Sequence, residues 1–271
     1  MERLNALDWA DGFSAAIFGV RVGFRVTRPQ TLAGLLDQLP PGWHFSTTHR
    51  VQWAYSLSSV PSRRHPGRII HQLYSQGSLV TRGSNLPRIL AALGGDLRAV
   101  LSQLTPWRTF VHAGAVGWKG RAILLPGYSG TGKTTLTAAL VRAGATLFSD
   151  EFAVLDRRGR VHPYPLPLRV KRGDGPGATR VPVEELGGEA GKRPLPVGLI
   201  LASRFDPDAR GPIRRLSPGR GALVLLTHAN QARSRSRRVL ETVAAAARDA
   251  TALQGPRGEA EAIVDTLLAS W

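Results

Sequence analysis

Cysteine is absent from the 271-residue chain and methionine occurs once. Without a thiol there is no disulfide, no thiolate zinc site, no iron–sulfur cluster and no cysteine nucleophile. No apolar run approaches the ~20 residues that cross a bilayer, so no membrane partner is expected. The opening segment, MERLNALDWADGF, lacks the hydrophobic stretch of a secretory signal. Acidic residues are scarce as well: 19 Asp and Glu face 36 Lys and Arg, a formal net charge of +17. Only four of the 36 are lysine. A basic surface favours anionic partners, although most such arginines are simply solvated. With 42% hydrophobic and 20% charged residues the chain can build a packed core, which excludes disorder throughout. A soluble, cytoplasmic globular protein is expected.

The sequence changes character near residue 105, which predicts a small α+β N-terminal domain over 1–105 and an α/β domain over 106–271. In the first, Phe18, Val20, Val22, Phe24 and Val26 alternate with small or basic residues and predict a strand over 18–26. Thr31–Leu39 reads as a short helix stopped by Pro40 and Pro41. Strands are expected over 51–60 and 69–80. From Asn85, apolar Leu86, Ile89, Leu90, Leu93, Leu97, Leu101 and Leu104 recur at helical spacing, and Gly94-Gly95 is expected to bend or split that helix. His44, His49, His65 and His71 have spacings that fit no metal site, and they read as ordinary histidines.

In the second segment Ala122-Ile-Leu-Leu125 reads as a strand buried on both faces, followed by a glycine-rich turn and a helix over 134–143 that Gly144 stops. Short strands are expected over 145–148 and 152–155. Six glycines and four prolines within 173–196 predict a long mobile loop. A strand over 197–202 follows. Ser217-Pro218 is an N-cap with proline at the first helical position, opening a helix to about His228. Helices over 239–250 and 259–268 complete the chain.

The chemistry lies in Gly127-Tyr-Ser-Gly-Thr-Gly132-Lys133-Thr134, which satisfies G-x-x-x-x-G-K-[ST]. Glycines let the backbone curl until its amides converge on phosphate oxygens, and the loop opens into the positive end of a helix. Gly127, Ser129, Gly130, Thr131, Gly132, Lys133, Thr134 and Thr135 are therefore the candidate nucleotide-binding residues. Lys133 would reach the β- and γ-phosphates, and Thr134 would place its hydroxyl on Mg²⁺, which makes ATP and Mg²⁺ the expected cofactors. Asp150 and Glu151 stand 17 and 18 residues after Lys133, just past a short apolar strand. Paired carboxylates there can hold the metal and accept a proton from an attacking hydroxyl.

Val111-His112-Ala-Gly-Ala-Val116, the stretch from Ala122 to Leu136, and Ala143-Gly-Ala-Thr-Leu-Phe-Ser-Asp-Glu151 resemble the C-terminal catalytic domain of HPr kinase/phosphorylase and its relatives, some of which serve peptide-modification pathways. The likeness is dense over about residues 107–171 and absent before 105. It implies an α/β P-loop kinase domain of the HPr kinase/phosphoenolpyruvate carboxykinase type, transferring the γ-phosphate of ATP to a serine hydroxyl of a protein or peptide. It implies Asp150 as general base, Glu151 as metal ligand beside Thr134 and Asp150, Lys133 on the phosphates, and His112 near the γ-phosphate. Relatives of this family often assemble, so a homo-oligomer is an expectation, although no interface signal is visible in the sequence. The bifunctional enzymes' Glu-Ile-Arg-Gly-type signature is missing. Pro165-Leu-Pro-Leu-Arg169-Val-Lys171 stands in its place, which argues against dephosphorylation and against HPr as substrate.

Arg169 and Lys171 are weaker candidates for neutralising phosphoryl charge. Two other readings stay open: a small-molecule hydroxyl kinase on the same site, and a nucleotide-switched module for an anionic partner. Gln231-Ala-Arg-Ser-Arg-Ser-Arg-Arg238 carries four arginines in eight positions, suited to an acidic substrate segment or to nucleic acid. No aromatics interleave with them and no nucleic-acid fold signature is present, which argues against nucleic acid.

Overall fold

The computed structural model describes residues 7–48, 50–171, 178–209, 211–232 and 235–269. His49, residues 172–177, Arg233, Ser234 and the side chain of Lys171 lie outside that description. The chain divides into two compact units, Met1–Pro106 and Trp107–Trp271.

The first unit is a six-stranded sheet with helices packed on it. Strands β1 (Asp11–Ile17) and β2 (Val20–Val26) form a hairpin; β2 is the strand expected over 18–26, starting two residues later, and β1 was not expected. They meet in a two-residue turn at Phe18-Gly19, both at positive φ (50° and 81°), a geometry that matches the twist of the flanking strands. A short helix α1 (Leu32–Leu36) and the two-residue strand β3 (His44–Phe45) lead to β4 (Trp53–Pro61), which pairs parallel with β2. The stretch expected as one strand over 69–80 is likewise a hairpin, β5 (Ile69–Ser75) and β6 (Ser78–Gly83). Spatial order is β3-β1-β2-β4-β5-β6.

Helix α2 (Leu86–Leu104) is capped by Asn85 Oδ1, which accepts from the Arg88 amide at 2.9 Å. It buries Ile89, Leu90, Leu93, Leu97 and Leu101 with Val20, Val22, Tyr55 and Leu57 of the sheet in one apolar core. The helix runs unbroken through Gly94-Gly95, against expectation. Gly94 is buried, and a Cβ there would stand 3.0 Å from Gln38 Oε1, so the glycine admits a close neighbour rather than ending the helix.

The second unit is a mixed α/β structure. Its strands are β7 (Thr109–Trp118), β8 (Arg121–Pro126), β9 (Thr146–Ser149), β10 (Phe152–Leu155), β11 (Val161–His162), β12 (Leu168–Lys171), β13 (Ala178–Val181), β14 (Val197–Phe205), β15 (Arg214–Leu216) and β16 (Thr251–Arg257). Its helices are α3 (Lys133–Arg142), α4 (Pro218–Thr227), α5 (Ser236–Ala247) and α6 (Ala260–Ala269). The main sheet runs β11-β10-β7-β8-β14-β16-β15, with β9 also on β7. At its centre β8, β14 and β16 are parallel, and the flanking pairs are antiparallel. Ile123 and Leu125 of β8 pack with α3 and α6, while Ala122 and Leu124 pack with α4 and α5. Burial on both faces explains the unbroken apolar run 122–125.

Two expectations fail here. The long loop predicted over 173–196 contains β13, which pairs with β12, a 3-10 turn at Val183–Leu186, and bridges from Ala190 to Leu147 and from Leu195 to Val161. Its prolines and glycines mark bends between short ordered pieces rather than one slack segment. Strand β16 was not expected, because Gly255-Pro256 reads locally as a turn; tertiary pairing with β14 and β15 overrides that signal. Among the described residues no helix is long and apolar enough to cross a membrane.

Candidate functional site

Strand β8 ends at Pro126, and residues 127–132 curl into the first turn of α3. Gly130 (φ 87°) and Gly132 (φ 83°) adopt left-handed backbone that other residues enter only with strain. A Cβ at Gly130 would meet nothing within 4 Å, so the loop is open there, and Ser129 and Thr135 are exposed beside it. Gly132 is the N-cap of α3 and supplies no side-chain oxygen, which leaves the first helical amides to an external acceptor. Tyr128 O accepts from Thr131 Oγ1 at 2.9 Å and from Lys133 Nζ at 2.7 Å, so the lysine lies folded along the loop. Burial pushes the Lys133 pKa down, and the nearby Asp150 carboxylate opposes that shift.

The acidic pair owes its position to a break between two strands that share one edge of β7. Ser149 pairs with Ala115, Phe152 pairs with His112, and Asp150-Glu151 bulge out between them. Ser149 Oγ holds the bulge by accepting from the amides of Glu151 (3.3 Å) and Phe152 (3.0 Å). Glu151 O accepts from the Ala113 amide, and Ala113 pairs with Pro126, the residue before Gly127. The carboxylates thus stand level with the start of the glycine loop.

Thr134 Oγ1 donates to Asp150 Oδ2 at 3.0 Å, and the backbone amide of Arg169 donates to the same oxygen at 3.4 Å. Asp150 Oδ1 is buried with no hydrogen-bond partner among the described residues. Burial raises the Asp150 pKa; the Thr134 and Arg169 hydrogen bonds and Lys133 oppose this, and Glu151 adds to it. Arg169 thus meets the acidic pair through its backbone, while its side chain is exposed.

His112 lies on β7, between Phe152, its partner beside the acids, and Gly127 at the start of the glycine loop. Its amide donates to His228 O at 2.8 Å, and Gly127 N donates to His112 O at 3.4 Å. Burial, with Lys133 and His228 adding positive charge, pushes its pKa down to about 4, so at neutral pH the imidazole is uncharged. Two residues at the site carry no local signal in the sequence. His228, the C-cap of α4, packs its ring against Tyr128 (centroids 4.6 Å apart), and burial and Lys133 lower its pKa. Arg257, 4% exposed at the end of β16, donates from Nη2 to Gly132 O at 2.7 Å and from Nη1 to Gly258 O at 2.9 Å. Both reach the loop only through tertiary pairing.

Among the described residues no three His, Asp or Glu side chains gather as a metal cage. A nucleotide-bound Mg²⁺ needs less, because phosphates and water supply most of its oxygens. Thr134 Oγ1 and Asp150 Oδ2, 3.0 Å apart, match neighbouring corners of an octahedron with bonds of ~2.1 Å. The orphaned Asp150 Oδ1 also needs a cation or a donor. The site therefore fits Mg²⁺. His71 lies buried in the first unit with Nδ1 2.7 Å from Ser59 Oγ, a satisfied core histidine.

The chain matches no protein-family model and none of the curated proteins compared with it.

Proposed function

We propose that the chain is an ATP-dependent kinase of the HPr kinase-like type, its second unit a P-loop kinase domain, which transfers the γ-phosphate to a hydroxyl, serine foremost, of a protein or peptide. The observation that carries the proposal is the pair Thr134 Oγ1–Asp150 Oδ2 at 3.0 Å, beside a glycine loop that opens into α3. A glycine-rich turn with a structural role only would not need a buried carboxylate with one unpartnered oxygen at its mouth.

The loop amides and the α3 N-terminus bind the triphosphate. Lys133 leaves Tyr128 O for the phosphate oxygens and offsets the charge that grows on them. Thr134 and Asp150, with Glu151 adjacent, would hold Mg²⁺, which would supply further positive charge to the phosphates. Asp150 accepts the proton of the acceptor hydroxyl through Oδ1. The hydroxyl oxygen bonds to the γ-phosphorus as the bond to the β-phosphate oxygen breaks, leaving ADP. His112, uncharged, offers a hydrogen bond without adding repulsion to Lys133.

The test is incubation with γ-labelled ATP, Mg²⁺ and panels of serine peptides and hydroxylated metabolites. Transfer to peptides is expected, and Asp150→Asn should lower it by about 100- to 10,000-fold while leaving ATP affinity within a few-fold. Full transfer by Asp150→Asn would refute the assigned role, and transfer confined to metabolites would refute the peptide acceptor.

A further inference from the structure

Strands β7 and β10, with β11 on the outer edge of β10, extend past the glycine loop as an arm of the main sheet. His112 pairs with Phe152 level with the loop, and Thr109 pairs with Leu155 further out. At the far end Asp156 O accepts from the Gly159 amide, turning the chain, and Arg157 lies over the ring of Trp107 at 4.9 Å. Trp107 is 57% exposed. The segment after His228 follows the same arm, since Ala229 bridges to Val111 and Asn230 N donates to Phe110 O. It delivers the first turn of α5 to the tip.

Two cavities of about 310 and 330 Å³ lie there and share Arg237 and Arg238. Arg157, Glu241 and Thr242 complete one, and Arg235 and Ser236 complete the other. The lining of the two thus counts four arginines and one glutamate among the described residues, with Arg238 Nη2 also 3.5 Å from Gln231 Oε1. Arg237 Nε and Glu241 Oε1 are 3.0 Å apart on the exposed surface, where such a pair is worth little. Burial lowers the pKa of Arg238, and Arg235 and Arg157 add to the shift.

We propose that this arginine-lined cleft docks an acidic segment of the protein or peptide that carries the acceptor hydroxyl. The inference rests on the kinase reading and deepens it by naming a substrate feature. Charge complementarity identifies an anion, and the shape of the cleft selects a polypeptide: the arginines are spread over two linked cavities, more than one small anion spans. One exposed aromatic ring is too few for the stacking that single-stranded nucleic acid uses. The arm also sets a spacing. From Glu151 the four residues of β10 reach Leu155, about 13 Å at ~3.3 Å per residue, and Asp156 then turns the chain to Arg157. An extended substrate covers those ~13 Å with about four residues and the turn to Arg157 with about one more, so its acids stand about five residues from the acceptor.

The experiment measures binding of a fluorescein-labelled peptide with one serine and a Glu-Glu-Glu block about five residues away, and of its Gln-Gln-Gln counterpart, without ATP. The same peptides then serve as acceptors with MgATP. Arg157→Ala/Arg237→Ala removes two surface arginines outside the catalytic machinery, and an unchanged rate of ATP hydrolysis without acceptor reports an intact fold. The Glu peptide is expected to bind at least about tenfold tighter than the Gln peptide, with the double variant abolishing the difference. Equal binding of the two peptides, or an undiminished preference in the variant, overturns the docking site. So does full displacement of the Glu peptide by millimolar inorganic phosphate at matched ionic strength, or by single-stranded DNA that binds more tightly. Arginine-dependent binding without phosphoryl transfer to either peptide would remove the kinase reading and keep the docking site. Transfer without preference would do the reverse.

Discussion

Replacing Gly132 with Ala tests whether the phosphate loop is held from behind by Arg257. At Gly132 φ is 83°, and an L-residue in left-handed backbone costs about 1–2 kcal/mol. Gly130, at φ 87°, carries the same strain, but a Cβ there meets nothing within 4 Å. At Gly132 the new Cβ would stand 2.5 Å from Arg257 Nη2 and 3.2 Å from Phe205 Cβ. The guanidinium must then move and give up its 2.7 Å bond to Gly132 O. A hydrogen bond to a charged group contributes about 1.5–3 kcal/mol. Gly130→Ala should therefore cost about 1–2 kcal/mol and Gly132→Ala about 3–5 kcal/mol. At ~2–4 °C per kcal/mol, calorimetry should separate the two melting temperatures by about 5–10 °C. In an Arg257→Met background the extra penalty of Gly132→Ala should vanish, because the two residues act through one contact. Equal penalties at Gly130 and Gly132, or a penalty at Gly132 that survives Arg257→Met, would refute the reasoning.

The low pKa of His112, about 4 against 6.5, has a defined sign. Between those values the unfolded chain binds a proton that the native chain refuses, so stability is full above pH ~6.5 and is lost as pH falls towards 4, by about 1–2 kcal/mol for this half-buried group once solvent screening is allowed for. His112→Gln should show a smaller drop in denaturation midpoint between pH 7 and pH 5 than the wild type; an equal drop would contradict the assignment. In the first unit, Tyr55 OH donates to Asp96 Oδ2 at 2.6 Å, and Ser75 Oγ donates to the same oxygen at 3.0 Å. Tyr55→Phe should cost about 1–3 kcal/mol in chemical denaturation, with MgATP affinity unchanged.

Features set by neighbouring residues were legible in the sequence. The glycine loop and its helix follow from glycines, a lysine and a threonine at fixed offsets, and the Ser217 cap follows from Ser217-Pro218. Hairpins were harder. In Phe18-Gly19 only one residue is glycine, so the strand expected from 18 began inside the turn and β1 before it went unread; across Gln76-Gly77 the stretch 69–80 read as one strand where there are two. Gly94-Gly95 misled in the opposite direction, because glycines that admit a neighbouring chain look identical to glycines that end a helix. The bulge holding Asp150 and Glu151 was half visible: the acids stood out, but their standing level with Pro126 depends on pairing to β7. Arg257 and His228 were invisible. Their nearest site partners are about a hundred residues or more away in the chain, and nothing in their local sequence marks them.

The central claim is that residues 127–134 hold the phosphates of a nucleotide. Isothermal titration of MgATP into the wild type and into Lys133→Ala tests it most directly. One site per chain, with affinity lower by at least about tenfold in Lys133→Ala, is the result the account predicts. Absence of binding heat in the wild type at several temperatures, or equal affinity in both proteins, would contradict it.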